Sequence, residues 1–204
     1  MKVLLLIMNC DKYRFKARKQ NWLKNITKEI QYFHVIGNIE KCKDNNYLLN
    51  KENKILYVKT LDDYNSLPHK VITSFQYGKD NNYDYIFKTD DDQCLKDINF
   101  FDNLIKNLKE NNYYYGGRIL EVKKHKSTYY KVHNCLPKNL ILEKTKYCPG
   151  RFYFLKKEAY LNLIEKTDDF KKRYIEDHSI GYFLDNKYKE NILSLDVESF
   201  FNDY

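Results

Sequence analysis

Short apolar runs that alternate with helical patterns restrict the fold of this chain more than any other feature. Four runs of strand length lie at about 3–8, 32–37, 54–58 and 83–87. The first of them, VLLLIM, is apolar at every position, which is typical of a strand buried on both faces. Strands that alternate with helices predict an α/β fold with a mostly parallel sheet flanked by helices.

Three of the remaining segments have apolar side chains near helical spacing. They lie at 14–30, 66–78 and 98–111, and each predicts a helix. Gly78 is expected to end the second helix, and Asp97 is expected to cap the third.

The composition predicts one folded domain over residues 1–204, because 43% of the residues are hydrophobic and no Pro/Gly-rich linker divides the chain. A net charge of +8 suggests nucleic acid as a partner, because a basic surface attracts phosphates. However, Lys, Asn, Ile, Tyr and Phe all have A/T-rich codons, so genome bias explains much of the lysine content. Lys123, Lys124 and Lys126 form the densest basic segment, which we interpret as a solvated loop, with a phosphate-binding patch as the alternative.

The cysteines and the first ten residues argue against a zinc protein, a disulfide-rich protein and a signal peptide. Five cysteines form no CxxC pair, so reduced thiols are expected rather than a zinc site or a disulfide framework. The apolar run in MKVLLLIMNC is not followed by a small-residue cleavage site, which favours a buried strand over a signal peptide. No other segment approaches the length of a membrane span, so a soluble protein is expected.

Three consecutive aspartates, Asp90, Asp91 and Asp92, follow the strand at 83–87. Ligands of parallel sheets gather at the carboxyl ends of the strands. In an extended segment Asp90 and Asp92 share a face while Asp91 points elsewhere, and two converging carboxylates repel unless a cation lies between them. Mg²⁺ or Mn²⁺ shared with the phosphates of a nucleotide diphosphate would resolve that repulsion. The alternative is a solvated acidic turn.

A second acidic site, Glu176 and Asp177, stands at the start of a predicted helix. Helix capping accounts for both residues, and the functional alternative is that one carboxylate is a general base. His178 is interpreted as a surface residue, with orientation of the base or metal binding as alternatives.

Five motifs in chain order carry a resemblance to the β-1,3-glycosyltransferase family, which includes β-1,3-galactosyltransferases, β-1,3-N-acetylglucosaminyltransferases and Fringe-like enzymes. They run from about Arg14 to Asp185 and read RFKARKQNWLKNI, LYVKTLDDYNSLPHKVITSFQY, FKTDDDQCL, YCPGRFYFLKKEAY and IEDHSIGYFL. The third resembles the K-T-D-D-D metal motif of the family, and the last resembles its E-D-V-Y-V-G segment.

The resemblance implies a GT-A fold, a UDP-sugar donor, Mn²⁺ or Mg²⁺, and inversion at the anomeric carbon with a β-1,3 linkage. It implies that Asp177 is the catalytic base and that Asp92 is the main metal ligand. The other implied site residues are Asp90 and His178 at the metal, Asp90, Asp91, Lys88 and Arg14 at the nucleotide, and Tyr147, Gly150, Arg151, Phe152 and Glu176 at the substrates.

Two departures from the family pattern are visible. Arg151 and Phe152 stand where the family has smaller residues, and no histidine follows His178 to complete a metal site. The chain also lacks the stem and anchor of Golgi members, so a soluble intracellular form is expected, cytoplasmic and within a host cell if viral. About 1–95 would bind the nucleotide sugar, and about 96–204 would bind the acceptor and carry catalysis.

The predicted partners are a UDP-sugar donor and a glycan, glycoprotein or glycolipid acceptor, with no specific nucleic acid. Alternatives are a catalytically silent sugar-nucleotide or glycan-binding relative, a nucleotidyl- or phosphotransferase, and a basic nucleic-acid-binding protein. Gly116 and Gly117 are interpreted as a turn between strands, with room for an acceptor as the alternative. Trp22 is interpreted as core packing rather than as a platform for a sugar.

Overall fold

A mixed eight-stranded sheet is the centre of the molecule, and the computed structural model describes residues 1–13 and 20–203. The strands of the described part are β1 (Val3–Met8), β2 (Ile30–Gly37), β3 (Tyr47–Asn50), β4 (Ile55–Val58), β5 (Tyr85–Asp90), β6 (Gln93–Leu95), β7 (Tyr115–Gly117), β8 (Leu120–Val122), β9 (His125–Lys126), β10 (Ile141–Leu142), β11 (Thr145–Tyr147), β12 (Phe152–Lys156), β13 (Ile192–Ser194) and β14 (Phe201–Asp203). The order in the main sheet is β13-β7-β12-β5-β1-β2-β4-β3.

Helices cover both faces of this sheet. Those in the described residues are α1 (Ile39–Cys42), α2 (Leu67–Asp80), α3 (Phe100–Glu110), α4 (Lys157–Ile164), α5 (Thr167–Phe170), α6 (Glu176–Phe183) and α7 (Val197–Phe200). Short 3-10 helices lie at Asp11–Tyr13, Asn21–Asn25, Tyr129–Lys131 and Asn186–Tyr188.

Strand β1 shows why the sheet forms at the centre. Its alternate side chains enter two separate apolar clusters, with Leu4 and Leu6 on the face toward α2 and Leu5 and Ile7 on the face toward α3. All of its residues are buried, and it pairs in parallel with both β2 and β5. The predicted α/β class with a mixed, mostly parallel sheet is therefore confirmed.

The directions of the strands bring three loops to one edge. Strand β12 runs antiparallel to β5, with Phe152 opposite Thr89, so residues just before β12 lie beside the carboxyl end of β5. Strand β1 ends at the same edge, where Met8 pairs with Asp90. The aspartates, the end of β1 and the glycine-containing segment before β12 thus meet although they are far apart in sequence.

The helix predicted for residues 14–30 is wrong for the described residues 20–30, which contain only the 3-10 helix Asn21–Asn25. Tertiary contacts explain the difference: the Trp22 indole donates to the Gln93 carbonyl at 3.1 Å and stacks on Phe101, and Ile30 already opens β2. Trp22 packs against the α3 side of the core, in agreement with the packing interpretation.

Two other local predictions are also corrected. Gly78 does not end its helix, which continues to Asp80; it instead lets α2 pack closely on Ile86. Asp97 is not the N-cap of α3. Its carboxylate accepts a hydrogen bond from the backbone amide of Asn99, and Asn99 is the N-cap of the helix, which begins at Phe100.

Gly116 and Gly117 do not form a turn, because both lie inside β7 between β12 and β13. A Cβ at Gly116 would collide with the ring of Phe154, so this glycine is required by close packing between strands. The structure therefore supports neither a turn nor an acceptor space at Gly116.

No helix in the described part of the chain has the length and apolar character needed to cross a membrane.

Candidate active site

A cleft of about 660 Å³ opens at the edge where β1 and β5 end and β12 begins. Its walls come from the loop after β1, the loop between β4 and α2, the three aspartates, the Gly150–Arg151 segment and the start of α6. This is the edge at which open α/β sheets bind their ligands.

The three aspartates all line this cleft. Strand β5 ends at Asp90, and Asp91 and Asp92 form a turn in which the Asp91 amide still donates to the carbonyl of Met8 at 3.0 Å. The turn replaces the extended segment that we expected, so Asp91 shares the cleft with its neighbours. Asp92 accepts a hydrogen bond from the side-chain amide of Gln93 at 2.8 Å.

The side chain of Lys88 is only 1% exposed, and its ammonium group lies against the carboxylate of Asp90. Its Nζ atom is 2.7 Å from Asp90 Oδ1, 2.7 Å from the carbonyl oxygen of Gly150 and 3.9 Å from Glu176 Oε2. Burial alone would lower the pKa of Lys88, but the charges of Asp90 and Glu176 raise it above its ordinary value. Lys88 is thus a buried cation held by protein oxygens in the lining of the cleft, and its contact with the nucleotide remains a prediction.

Glu176 and Asp177 begin α6 and face the same cleft. Burial raises the pKa of Glu176 to about 7, although Lys88 opposes the rise, and the hydroxyl of Tyr153 donates to its carboxylate. Asp177 accepts hydrogen bonds from the backbone amides of Gly150 at 2.9 Å and His178 at 2.7 Å. Burial raises the pKa of Asp177 too, against the effects of Lys88 and these two amides.

Gly150 links the Lys88 side chain to Asp177 through its backbone. Its carbonyl accepts a hydrogen bond from Lys88, and its amide donates one to Asp177. A Cβ at this position would lie 2.9 Å from Lys88 Nζ and 3.5 Å from Asp90 Oδ2. Even alanine would therefore crowd the buried cation. The predicted importance of Gly150 has a structural reason here, whereas its contact with a substrate remains a prediction.

Two of the predicted substrate residues do not line the cleft. Phe152 is fully buried between Phe100 and Phe201, so its predicted substrate contact is wrong: the side chain points into the core. Tyr147 is also buried, with its ring edge against His178, and it does not line the cleft. Arg151 does line the cleft.

The structure does not bring the side chain of His178 to the three aspartates. The Nε2 atom of His178 is 2.9 Å from the carbonyl oxygen of Glu143, and its buried ring lies outside the cleft lining. Arg14 lies outside the described residues. Within residues 1–13 and 20–203, no three His, Cys, Asp or Glu side chains converge as a ready-made metal site.

Sequence reasoning missed a second polar network on the wall of the cleft that the loop between β4 and α2 and the start of α2 form. Lys70 is buried, and its Nζ atom is 2.7 Å from both Asp62 Oδ1 and the carbonyl oxygen of Asn9. Asp62 also accepts from the backbone amides of Gly37 and Asp11, at 2.9 and 2.6 Å. The signal was available, because Asp62 follows β4 closely, just as the three aspartates stand at the end of β5.

Two aromatic residues complete this wall. Tyr64 follows β4, and its ring stacks on His133 with centroids 3.8 Å apart. Burial raises the pKa of Tyr64 to about 12, and the negative charges of Asp177 and Glu176 contribute to the rise. The pairing of Tyr64 with His133 joins segments too distant for a local pattern to reveal.

Fold and cleft together define an α/β protein with an acidic cleft at the carboxyl edge of its sheet. A family model described as galactosyltransferase matches residues 14–191. The chain therefore belongs to the galactosyltransferase family, and the family predicted from the motifs is confirmed.

Solved structures give more distant similarities. A glycosyltransferase involved in the glycosylation of the major capsid of PBCV-1 is 11% identical, with a TM-score of 0.43 over 84% of this chain and 66% of that one. The glycosyltransferase GlyE of Streptococcus pneumoniae TIGR4 is 12% identical, with a TM-score of 0.48 over 98% of this chain and 46% of that one. No curated protein matches the chain.

Proposed function

We propose that this protein transfers a hexose or N-acetylhexosamine from a UDP-sugar to an acceptor hydroxyl, with inversion at the anomeric carbon and with a divalent cation. The observation that carries the proposal is that three aspartates, the Glu176–Asp177 pair and the buried Lys88 line one cleft, in which Lys88 contacts Asp90 and Glu176. Family membership supports sugar transfer as the chemistry. The β-1,3 linkage is part of the proposal through the motif resemblance.

The carboxylates fit a hard divalent cation. Asp90 and Asp92 both line the cleft and offer oxygen ligands, while Lys88 occupies one oxygen of Asp90 and Gln93 contacts one oxygen of Asp92. Mg²⁺ and Mn²⁺ are commonly held by one or two carboxylates together with substrate phosphates and water. A cation held there would stabilise the negative charge of the departing diphosphate.

Asp177 is the proposed general base. Two backbone amides hold its carboxylate in one orientation, and each oxygen retains a lone pair for a further hydrogen bond. Burial raises its pKa, which makes the carboxylate a better proton acceptor. It would take the proton of the acceptor hydroxyl while that oxygen bonds to C1 of the sugar and the C1–O bond to UDP breaks.

Lys88 stabilises this cluster of carboxylates. Asp90 and Glu176 are close to one buried ammonium group, which offsets their mutual repulsion. The same ammonium binds the carbonyl of Gly150, so it helps to hold in place the residue whose backbone amide donates to Asp177. The chain's own residues thus position the base before a substrate arrives.

UDP release from a panel of UDP-sugars, with Mn²⁺, Mg²⁺ or EDTA and with simple glycosides as acceptors, tests the proposal. We expect one preferred donor, dependence on the cation, and a loss of roughly 10²–10⁴-fold in Asp177→Asn. Asp92→Ala should also lose turnover, whereas Asp168→Asn, an exposed aspartate of α5, should behave as wild type.

Binding and turnover separate the alternatives. Binding of UDP with Mn²⁺ but no turnover with any donor or acceptor would assign the chain to the silent relatives. Failure to bind UDP under any condition would refute the sugar-nucleotide function altogether.

A further inference from the structure

The segment immediately after the aspartates is paired with the C-terminal strand. Strand β6 begins at Gln93 and runs antiparallel to β14, with Gln93 opposite Asp203 and Leu95 opposite Phe201. This two-stranded sheet is separate from the main sheet. The loop that carries Asp92 is therefore attached to a part of the chain that the five family-like motifs do not include.

The side chain of Gln93 links the two segments. It is 4% exposed, and its Nε2 atom donates to Asp92 Oδ1 at 2.8 Å and to Asp203 Oδ1 at 2.8 Å. An amide nitrogen has two hydrogens, so both are used. The Gln93 carbonyl accepts from the Trp22 indole at 3.1 Å and from the Gln20 amide at 3.3 Å, which holds the backbone of this residue in place.

Arg151 holds β14 from the other side. Its guanidinium donates to the Phe201 carbonyl at 3.1 Å and to Asp203 Oδ2 at 3.0 Å. A planar guanidinium that binds two acceptors fixes their relative positions better than a single contact does. The two carboxylate oxygens of Asp203 thus receive hydrogen bonds from Gln93 and Arg151, respectively.

We propose that β14 positions the Asp92 carboxylate for a divalent cation, with Asp203 acting through Gln93 and with Arg151 fixing Asp203. Gln93, Asp203 and Arg151 are positioning residues in this scheme, and of these four residues Asp92 alone contacts the cation. The inference rests on the proposed function, since it concerns the cation that this function uses. It gives Arg151 a role that does not require contact with a substrate.

Binding of Mn²⁺ in the presence of UDP tests this inference without any turnover. We would titrate Mn²⁺ into the intact chain with UDP and follow free Mn²⁺ by electron paramagnetic resonance. Residues that orient metal ligands typically contribute 10–100-fold to metal affinity, so Gln93→Leu and Asp203→Ala should each raise the apparent Kd for Mn²⁺ by roughly 10-fold or more. Asp203→Asn keeps an oxygen for Gln93 and should recover much of this affinity.

Glu198→Gln is the matched control. It removes an ion pair of Arg151 at 3.3 Å and one of Arg118 at 2.9 Å but leaves the contacts of Asp203 intact. Its Mn²⁺ affinity should equal that of wild type, and thermal melts without metal would verify that each variant is folded.

The outcomes are distinct. If wild type binds Mn²⁺ with UDP and Gln93→Leu and Asp203→Ala bind it equally well, this inference fails while the proposed function stands. If wild type does not bind Mn²⁺ even with saturating UDP, the proposed function fails, and the inference fails with it. Because the Asp203 side chain is 62% exposed, Asp203→Ala decides the question even if Gln93→Leu does not fold.

Discussion

At the scale of single residues, Lys88 has the most consequences. A lysine in a central strand would normally be unfavourable, because burial of an unpaired ammonium group is costly. Here Asp90, Glu176 and the Gly150 carbonyl surround it, so its charge is balanced within the protein. The residue therefore supports both the stability of the acidic cleft and the position of the proposed base.

Replacement of Lys88 by methionine should destabilise the fold strongly. The variant leaves buried carboxylates without their cation, and breaking a buried ion pair typically costs about 3–5 kcal/mol. Urea denaturation measures the free energy of unfolding. Lys109→Met removes an exposed ion pair with Glu29 and should cost less than about 1 kcal/mol. Equal losses in the two variants would contradict the assigned role of Lys88.

The pH dependence of stability should report on Glu176. Burial raises its pKa from 4.5 to about 7, so the folded state retains a proton that the unfolded state loses between these pH values. Below pH 4.5 this proton contributes roughly 3 kcal/mol to the free energy of unfolding. The contribution is lost as the pH rises through about 7.

Glu176→Gln removes this titration while preserving the size of the side chain. Relative to wild type, the variant should therefore gain free energy of unfolding as pH rises from 5 to 8. Urea denaturation of both proteins at several pH values measures the difference. A difference that is constant over this range would show that Glu176 is already ionised at pH 5 in the folded protein.

At the scale of elements, the packing of α6 on β11 determines where Glu176 and Asp177 point. Gly181 makes the close approach possible, since a Cβ there would collide with Tyr147 Cβ and would lie 2.5 Å from the Lys146 carbonyl oxygen. Both are parts of a strand that cannot move independently. The helix is only eight residues long, so its position depends on this contact rather than on its own stability.

Gly181→Ala should destabilise the protein although alanine favours helices by up to about 1 kcal/mol relative to glycine. Overpacking against backbone typically costs about 1–3 kcal/mol, so the net effect should be a loss. Gly78→Ala in α2 is the matched control, because its Cβ would meet the end of the flexible Ile86 side chain at 2.6 Å. We expect thermal melts to show a clearly larger loss for Gly181→Ala than for Gly78→Ala.

At the scale of the whole molecule, the proposed site joins loops from both halves of the chain. The wall with Asp62 and Lys70 comes from the first half, whereas Gly150 and Asp177 come from the second. A ligand that spans the cleft would bind only the folded state, so it should stabilise the entire protein by mass action.

UDP and Mn²⁺ together should raise the melting temperature. At 100 times the Kd the stabilisation is about 2.7 kcal/mol, which corresponds to roughly 5–10 °C for a chain of this size. EDTA should abolish the shift, Asp92→Asn should reduce it, and Asp168→Asn should retain it. An equal shift with UDP and EDTA would show that nucleotide binding does not require the cation.

The structure favours a solvated surface over a nucleic-acid interface for the basic segment around Lys124. Lys124 is exposed and forms an ion pair with Glu143 at 2.9 Å, as expected for a solvated surface. The nucleic-acid alternative predicts binding that weakens steeply with salt and is lost when Lys123, Lys124 and Lys126 are neutralised. The sugar-nucleotide proposal predicts that these changes leave UDP binding unaffected.

Most of the fold was predictable because it depends on local and periodic signals. The run Val3–Met8 and the strand before Asp90 are apolar enough to require burial, and α2 and α3 have helical spacing. Predictions were wrong where long-range packing overrides local preference, as for residues 20–30 and for Gly116. The division into two functional halves remains a prediction.

By itself, the sequence determined the α/β class, the family and the presence of two acidic segments, since these follow from periodicity and from short motifs. Only the tertiary structure decided that Lys88 lies between those segments, that Phe152 belongs to the core and that Gln93 connects Asp92 with Asp203. The physical reason is that a hydrogen bond or an ion pair depends on distances of a few ångströms between residues far apart in the chain. Such distances are set by strand order and helix packing, which no local pattern contains.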